Sequence, residues 1–309
     1  MKLNKSIKTF TVALLCLAAL CACSESAPSF MKATVAETTA EYEPDTVTDA
    51  AKTPADTETL PATDEETAEQ TKNVTETGEP AQPAEMRMVI ATLNIKHGAD
   101  GLDRLADAIR EISPDIIGLQ EVDVNCTRSG SVDEPAELSR LTGLPYHAFS
   151  KAISQGDGEY GTAILSRYPI ESFETVPLDS GKYERRSAGH AVINADGVRL
   201  DVLVTHLTYE DREVRTGQMK TIASMLSGFE RCVLTADLNC FDLNDLHYLG
   251  GEYYVNRPDR RYDTFRRFDG FAPDNIVVSE GFTEISSGVS DAECSDHRLL
   301  YAVFTLVSP

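Results

Sequence analysis

A chain of 309 residues with 28 basic and 50 acidic side chains carries a formal charge of −22. The charge is unevenly spread: residues 1–85 hold 6 basic and 15 acidic side chains, so residues 86–309 hold 22 and 35, a net of −13. A domain of that sign argues against gripping long nucleic acid through general phosphate neutralisation, but it leaves room for a small phosphate ester at a local basic patch.

The chain opens with Lys2, Lys5 and Lys8 and an apolar stretch from Phe10 to Ala22. That stretch is short for a membrane span, which needs about 20 apolar residues. A basic start and a short apolar run mark residues 1–22 as an export signal. Its end, Leu20-Cys21-Ala22-Cys23, resembles a bacterial lipobox, with lipid attached at Cys23; an ordinary cleaved signal is the alternative. Residues 24–85, rich in Thr, Glu, Ala and Pro, bury too little apolar surface to offset chain entropy and are expected to form a disordered, self-repelling tether. The protein is thus expected in the cell envelope, held to the membrane by lipid. It is expected as a monomer, with no protein partner in evidence.

Residues 86–309 have the apolar content of one large domain. Arg87–Asn94 reads as a strand. Leu102, Leu105, Ile109 and Ile112 fall at helical spacing, and Ser113-Pro114 ends that helix. Asp115–Glu121 is a buried strand, Leu138 and Leu141 mark a short helix, and Thr162–Ser166 is another strand. Ser187–Asn194 and Val198–Thr205 form a hairpin through Asp196-Gly197. Met219, Ile222, Ala223 and Leu226 mark a helix; Cys232–Ala236, Ile276–Ser279 and Leu299–Leu306 complete the strands. Interleaved helices and strands with a hairpin predict an α/β fold of mixed sheets with helices outside. Cys232 and Cys240 bracket an extended segment and lie too far apart to bridge, and the absence of any Cys-x-x-Cys pair argues against a zinc ribbon.

Polar side chains recur where strands end: Asn94, Glu121, His206, Asp237 with Asn239, and Asp296-His297 before the last strand. Strand ends gather at one edge of a sheet, where α/β folds place ligands. Carboxylates suit a hard cation, and imidazoles suit proton transfer or phosphate charge. Each residue alone has an ordinary reading. Glu121 can be a solvated strand end, Asp237-Leu238-Asn239 a turn, His206 a core histidine and Ser295-Asp296-His297 an Asx-type cap. Their conjunction in this order carries the functional reading.

The stretches Thr92-Leu93-Asn94, Leu119-Gln120-Glu121-Val122-Asp123, Tyr160–Ile170, Thr205-His206-Leu207, Ala236-Asp237-Leu238-Asn239, Asp274–Ser279 and Ser295-Asp296-His297-Arg298 together resemble the endonuclease/exonuclease/phosphatase superfamily across nearly all of residues 86–309. The resemblance implies a four-layer sandwich, two mixed β-sheets flanked by helices, and metal-dependent hydrolysis of a phosphate ester with Mg²⁺ (Mn²⁺ or Ca²⁺ as alternatives). It implies that Glu121, Asn94 and Asp296 hold the metal and that Asp237 activates water. It further implies that Asn239 and His206 hold the phosphate, and that His297, oriented by Asp274, acts at the scissile phosphate. The sequence departs from the family pattern at Pro273-Asp274-Asn275-Ile276, where the usual Tyr is missing, and at Ala236-Asp237-Leu238-Asn239; both keep their polar groups. Arg128, Arg185 and Arg186 are candidates for substrate phosphate, His97 for the cleft wall, and Glu159 for a partner of His206. The arginines at 257, 260, 261, 266 and 267 form the only basic cluster and either flank the cleft or lie on a solvated face. A small or lipid-derived phosphodiester ranks above nucleic acid as substrate. A secreted nuclease and a non-catalytic surface binding protein on the same fold are the competing functions. Mass spectrometry of the mature N-terminus is expected to find a lipidated Cys23; a lipid-free product starting downstream would refute the anchor.

Overall fold

The computed structural model describes residues 85–250 and 253–307. The expected export signal, Cys23 and the acidic segment up to residue 84 lie outside them. The elements in order are β1 (Glu85–Asn94), α1 (Leu102–Ile112), β2 (Ile116–Val124), α2 (Glu134–Thr142), β3 (Tyr146–Gln155), β4 (Gly158–Ser166), β5 (Ile170–Leu178), β6 (Arg186–Ala195), β7 (Val198–His206), α3 (Arg212–Leu226), β8 (Cys232–Asp237), β9 (Tyr253–Tyr254), β10 (Asp274–Val278), β11 (Phe282–Val289) and β12 (Leu300–Val307). They build two six-stranded mixed sheets, ordered β11-β12-β1-β2-β4-β3 and β5-β6-β7-β8-β10-β9. Each sheet holds one parallel pair, β1/β2 and β7/β8, and every other pairing is antiparallel. A parallel pair needs a crossover, which α1 supplies in the first sheet and α3 in the second.

The two-residue strand period sorts the side chains into layers. Met88 and Ile90 of β1, Ile116 of β2, Val202 and Val204 of β7, Val233 of β8 and Phe304 of β12 meet between the sheets. Their neighbours Ala91, Leu93, Ile117 and Leu119 face Leu105, Ile109 and Leu138 of α1 and α2. On the far side Leu203, Leu234 and Ala236 face Met219 and Ile222 of α3. The result is helix, sheet, sheet, helix, the four layers that the sequence resemblance implies. Central strands buried on both faces read as unbroken apolar runs rather than alternating ones.

Local chemistry fixes the ends of the elements. Asp133 caps α2 by accepting from the Ala136 N–H, and Asp211 caps α3 by accepting from Glu213 and Val214. The β6–β7 hairpin turns through Asp196 and Gly197, both at positive φ (50° and 92°), as a two-residue turn of matching twist requires. Cys126, Cys232, Cys240 and Cys294 are all buried and unpaired. No described helix is long and apolar enough to cross a membrane.

The sheets approach each other closely at Gly118 of β2 and Thr235 of β8. A β-carbon on Gly118 would lie 1.9 Å from Thr235 Oγ1 and 2.7 Å from its Cβ. Gly118→Ala therefore overpacks the inter-sheet layer and is expected to lower stability by about 1–3 kcal/mol. A urea unfolding midpoint checks this, and adding Thr235→Ala should recover part of the loss.

A second prediction concerns pH. The Glu134 side chain at the start of α2 is 1 % exposed and accepts the Asp123 N–H at 2.7 Å, tying the helix to the end of β2. Burial pushes its carboxyl up from 4.5 to about 8. A raised folded-state value stabilises the fold fully below pH 4.5, and that contribution is lost as pH rises to about 8. Glu134→Gln should therefore melt above wild type at pH 9 and show no such advantage at pH 4.5; equal offsets at both would refute the shift.

Candidate active site

The carboxyl ends of both parallel pairs lie at one edge of the sandwich. β1 and β2 bring Asn94 and Glu121 there; β7 and β8 bring His206 and Asp237, which are register partners. β10 runs antiparallel to β8, so its first residue, Asp274, pairs with Asp237. β12 runs antiparallel to β1, with Leu300 opposite Thr92, which delivers His297 to the same edge. Glu121 reaches it through an irregularity: the β2–β4 register shifts between Gln120 and Val122, and Glu121 adopts φ 54°. Left-handed backbone at a non-glycine residue costs energy and re-aims the side chain.

Asn94 joins the two sheets. Its amide nitrogen donates to Glu121 Oε1 at 3.0 Å and to Asp237 Oδ2 at 3.1 Å. The same Asp237 oxygen faces His206 Nε2 at 3.5 Å and His297 Nε2 at 3.8 Å, and its Oδ1 accepts the Asn239 N–H at 3.0 Å. His297 Nδ1 shares a 2.8 Å hydrogen bond with Asp274 Oδ2. Phe265 packs edge-on against His297, with ring centroids 4.9 Å apart.

The two histidines differ in charge. Arg186 Nη1 lies 3.3 Å from His206 Nδ1. A guanidinium only donates, so His206 Nδ1 accepts and the ring hydrogen sits on Nε2, facing Asp237. Burial, reinforced by the Arg186 and His297 charges, holds His206 well below its usual value, so it is neutral. Burial also disfavours charge on His297, but Asp274, Asp237 and Asp296 outweigh it and raise the imidazole to about 9. Burial and the nearby Asp274 charge push Asp237 up to about 6.

Asp237, Asp274 and His297 form a group that can hold a metal ion, their ligand atoms lying within 4.8 Å of one another. A charged His297 has no lone pair to give, however, and its Nδ1 already bonds Asp274. The chemistry of the donors favours the oxygens around Asn94. Glu121 and Asp237 flank one amide, neither has a Lys or Arg partner among the described residues, and Asp274 Oδ1 is buried without a hydrogen bond. Undercompensated oxygen donors of this kind fit a hard divalent cation.

The structure thus brings together Asn94, Glu121, His206, Asp237, Asp274 and His297. Asn239, at φ 49°, donates its side-chain amide to the Leu207 carbonyl at 2.9 Å and lies beside Asp237. Other candidates are placed differently. Asp296 pairs with Lys96 at 3.7 Å and Arg267 at 3.3 Å while its charge acts on His297, and its neighbour Ser295 donates to the Asn94 carbonyl at 2.7 Å. Glu159 does not pair with His206. Strand alternation turns Tyr160 inward and Glu159 outward, where it meets Lys151 at 2.7 Å. Arg128 forks onto Asp123 through two 2.7 Å bonds and covers the Tyr160 ring. His97 sits at φ 45° in the turn after β1, near enough to Asp123 to favour its charge. The arginines at 257–267 are committed to ion pairs or, for Arg266, to the Ala292 carbonyl. Lys96 and Tyr160 were not singled out from the sequence. Lys96 adjoins Asn94, and Tyr160 opens a matched family stretch, so both carried a positional signal.

Comparisons with known proteins agree with this fold. The profile described as "Endonuclease/Exonuclease/phosphatase family" matches residues 91–297. The uncharacterized protein YbhP of Escherichia coli is 25% identical over 176 residues, 52% of this chain and 70% of YbhP. Among solved structures, an endonuclease/exonuclease/phosphatase from Beutenbergia cavernae superposes with a TM-score of 0.61 at 20% identity, covering 72% of each chain. The Bacteroides thetaiotaomicron mannosyl-6-phosphatase Bt3783 gives 0.53 at 15% identity over 70% of this chain and 98% of its own. The matched span contains Asn94, Glu121, His206, Asp237, Asp274 and His297, the residues that meet at the sheet edge, and the chain belongs to the endonuclease/exonuclease/phosphatase family.

Proposed function

We propose that this protein is a metal-dependent phosphoesterase acting by in-line attack of water on a small or lipid-derived phosphodiester, and that it works from a lipid anchor at Cys23 on the outside of the cell membrane. The observation that supports the chemistry best is the crowding of Asn94, a neutral His206 and a charged His297 around one oxygen of Asp237. A base and the donors for a phosphate are thereby in place before substrate arrives, the kind of preorganisation that lowers a barrier in which charge builds on phosphoryl oxygens.

A divalent cation at Glu121 and Asn94 would, when bound, neutralise charge on a phosphate oxygen. Asp237, raised to about 6, is ionised at neutral pH yet basic enough to take a proton from water. His297 carries its proton at neutral pH and presents it through Nε2, while Asp274 fixes the ring through Nδ1. His206 offers an N–H without a full charge, its tautomer set by Arg186. A nuclease reading loses support because four of the five arginines at 257–267 are already in ion pairs and the fifth, Arg266, donates to the Ala292 carbonyl.

A metal titration of three variants tests the assignment. Glu121→Gln keeps the shape and removes the charge, so its activity should fall and recover partly with excess Mg²⁺. His297→Ala should lose roughly 100-fold or more, the range for a missing general acid or base, with no rescue by metal. Asp274→Asn should show a milder form of the His297 defect. Wild-type activity that survives a chelator, or a fully active His297→Ala, would overturn the mechanism.

A further inference from the structure

A cavity of about 430 Å³ opens between β3 of the first sheet and the loop that joins β5 to β6, and shares Ala152, Arg186 and Ser187 with a smaller crevice that His206 lines. Its walls include Lys151 of β3, Ser180 and Gly181 of the loop, and Arg185 and Arg186 where β6 begins. Three cationic side chains on one cavity stand out in a domain whose net charge is −13.

Arg186 links this cavity to the reacting centre. It is 4 % exposed, and burying a guanidinium is costly unless its charge and donors are met. Nη1 reaches His206 Nδ1 at 3.3 Å and Glu184 Oε1 at 3.0 Å, whereas the buried Nε has no hydrogen-bond partner among the described residues. Lys151 and Arg186 lean on Glu159 and Glu184, carboxylates that are 43 % and 38 % exposed. Pairs with such partners are weak and exchange readily. Arg185 is exposed and has no ion-pair partner among the described residues. Asp179 also lines the cavity, but its carboxylate faces its own loop, accepting the Gly181 N–H at 3.0 Å.

We infer that this cavity is a subsite for a second phosphate of the substrate, held by Arg186 at its inner wall and by Arg185 and Lys151 at its mouth. Arg186 would then touch both ends of the molecule: the reacting phosphate through His206, and the distant one directly. The substrate class narrows to esters that carry another phosphate on the same small molecule. The inference rests on the phosphoesterase reading for the identity of the reacting end only; the subsite itself is a matter of binding.

Calorimetry on the full-length chain in EDTA, where the metal-dependent reaction is stopped, separates the two. The probes are a hexose bisphosphate and the matching hexose monophosphate. Wild type is expected to bind the bisphosphate roughly 10-fold more tightly, the scale of one charge-assisted hydrogen-bonded contact. Arg185→Ala and Lys151→Ala should each shrink that ratio, and the double variant should shrink it further, to the part that Arg186 holds alone. Arg185→Lys, which keeps the charge, should preserve most of it. Melting temperatures confirm that the variants fold. A ratio near one in wild type, or a ratio unchanged in the double variant, would overturn the subsite. Failure of the chain to hydrolyse any ester with Mg²⁺ would sink the catalytic reading and leave this binding ratio standing.

Discussion

Two sheets that come within van der Waals distance at a glycine hold this molecule's chemistry together. Gly118 has no side chain, so Thr235 of the opposite sheet fills the space above it. Three residues further along β2 the chain reaches Glu121, and two residues further along β8 it reaches Asp237. The close approach therefore sets how far apart those carboxylates can lie. Asn94 then closes the gap with one amide. Two carboxylates this close repel one another, and folding tolerates that because apolar layers on both faces of each sheet stabilise the strands carrying them.

Backbone strain gathers at the same edge. Of the eight non-glycine residues at positive φ among those described, Lys96, Glu121 and Asn239 border the site. In each case the strand has just ended or been interrupted, and the chain takes a conformation that no regular element would choose. A strand continuing regularly past Gln120 would send residue 121 to the wrong face. The bulge spends conformational energy to point a carboxylate at Asn94, a trade found repeatedly at functional sites.

How much of this was legible in the sequence follows burial. The central strands could be read because burial on both faces makes them unbroken apolar runs, and the three helices because their apolar residues recur at helical spacing. β3, β5, β9 and β11 could not, and these are the four edges of the two sheets. An edge strand is half solvated, so polar and apolar residues mix, as in Glu171, Ser172 and Glu174 of β5. Register shifts in β3, β5 and β11 blur the alternation further. At the site, residues fixed by strand ends were legible, since a strand end is visible in the pattern. Residues whose direction depends on a neighbour's charge were not. Asp296 turns to Lys96 and Arg267, and Glu159 turns to Lys151, choices that only the folded arrangement of cations decides. The role of Arg186 in fixing the His206 tautomer is likewise a contact between adjacent strands, set by register.

The four cysteines of the described domain make it indifferent to its redox surroundings. Each thiol is buried and unpaired, and burial raises all four above their ordinary ionisation range, Cys240 to about 12. The reactive species in oxidation and exchange is the thiolate, which these environments suppress. The domain needs no oxidant to reach its fold and offers none of these thiols to an oxidant once folded. The same fold is therefore compatible with reducing and oxidising surroundings alike.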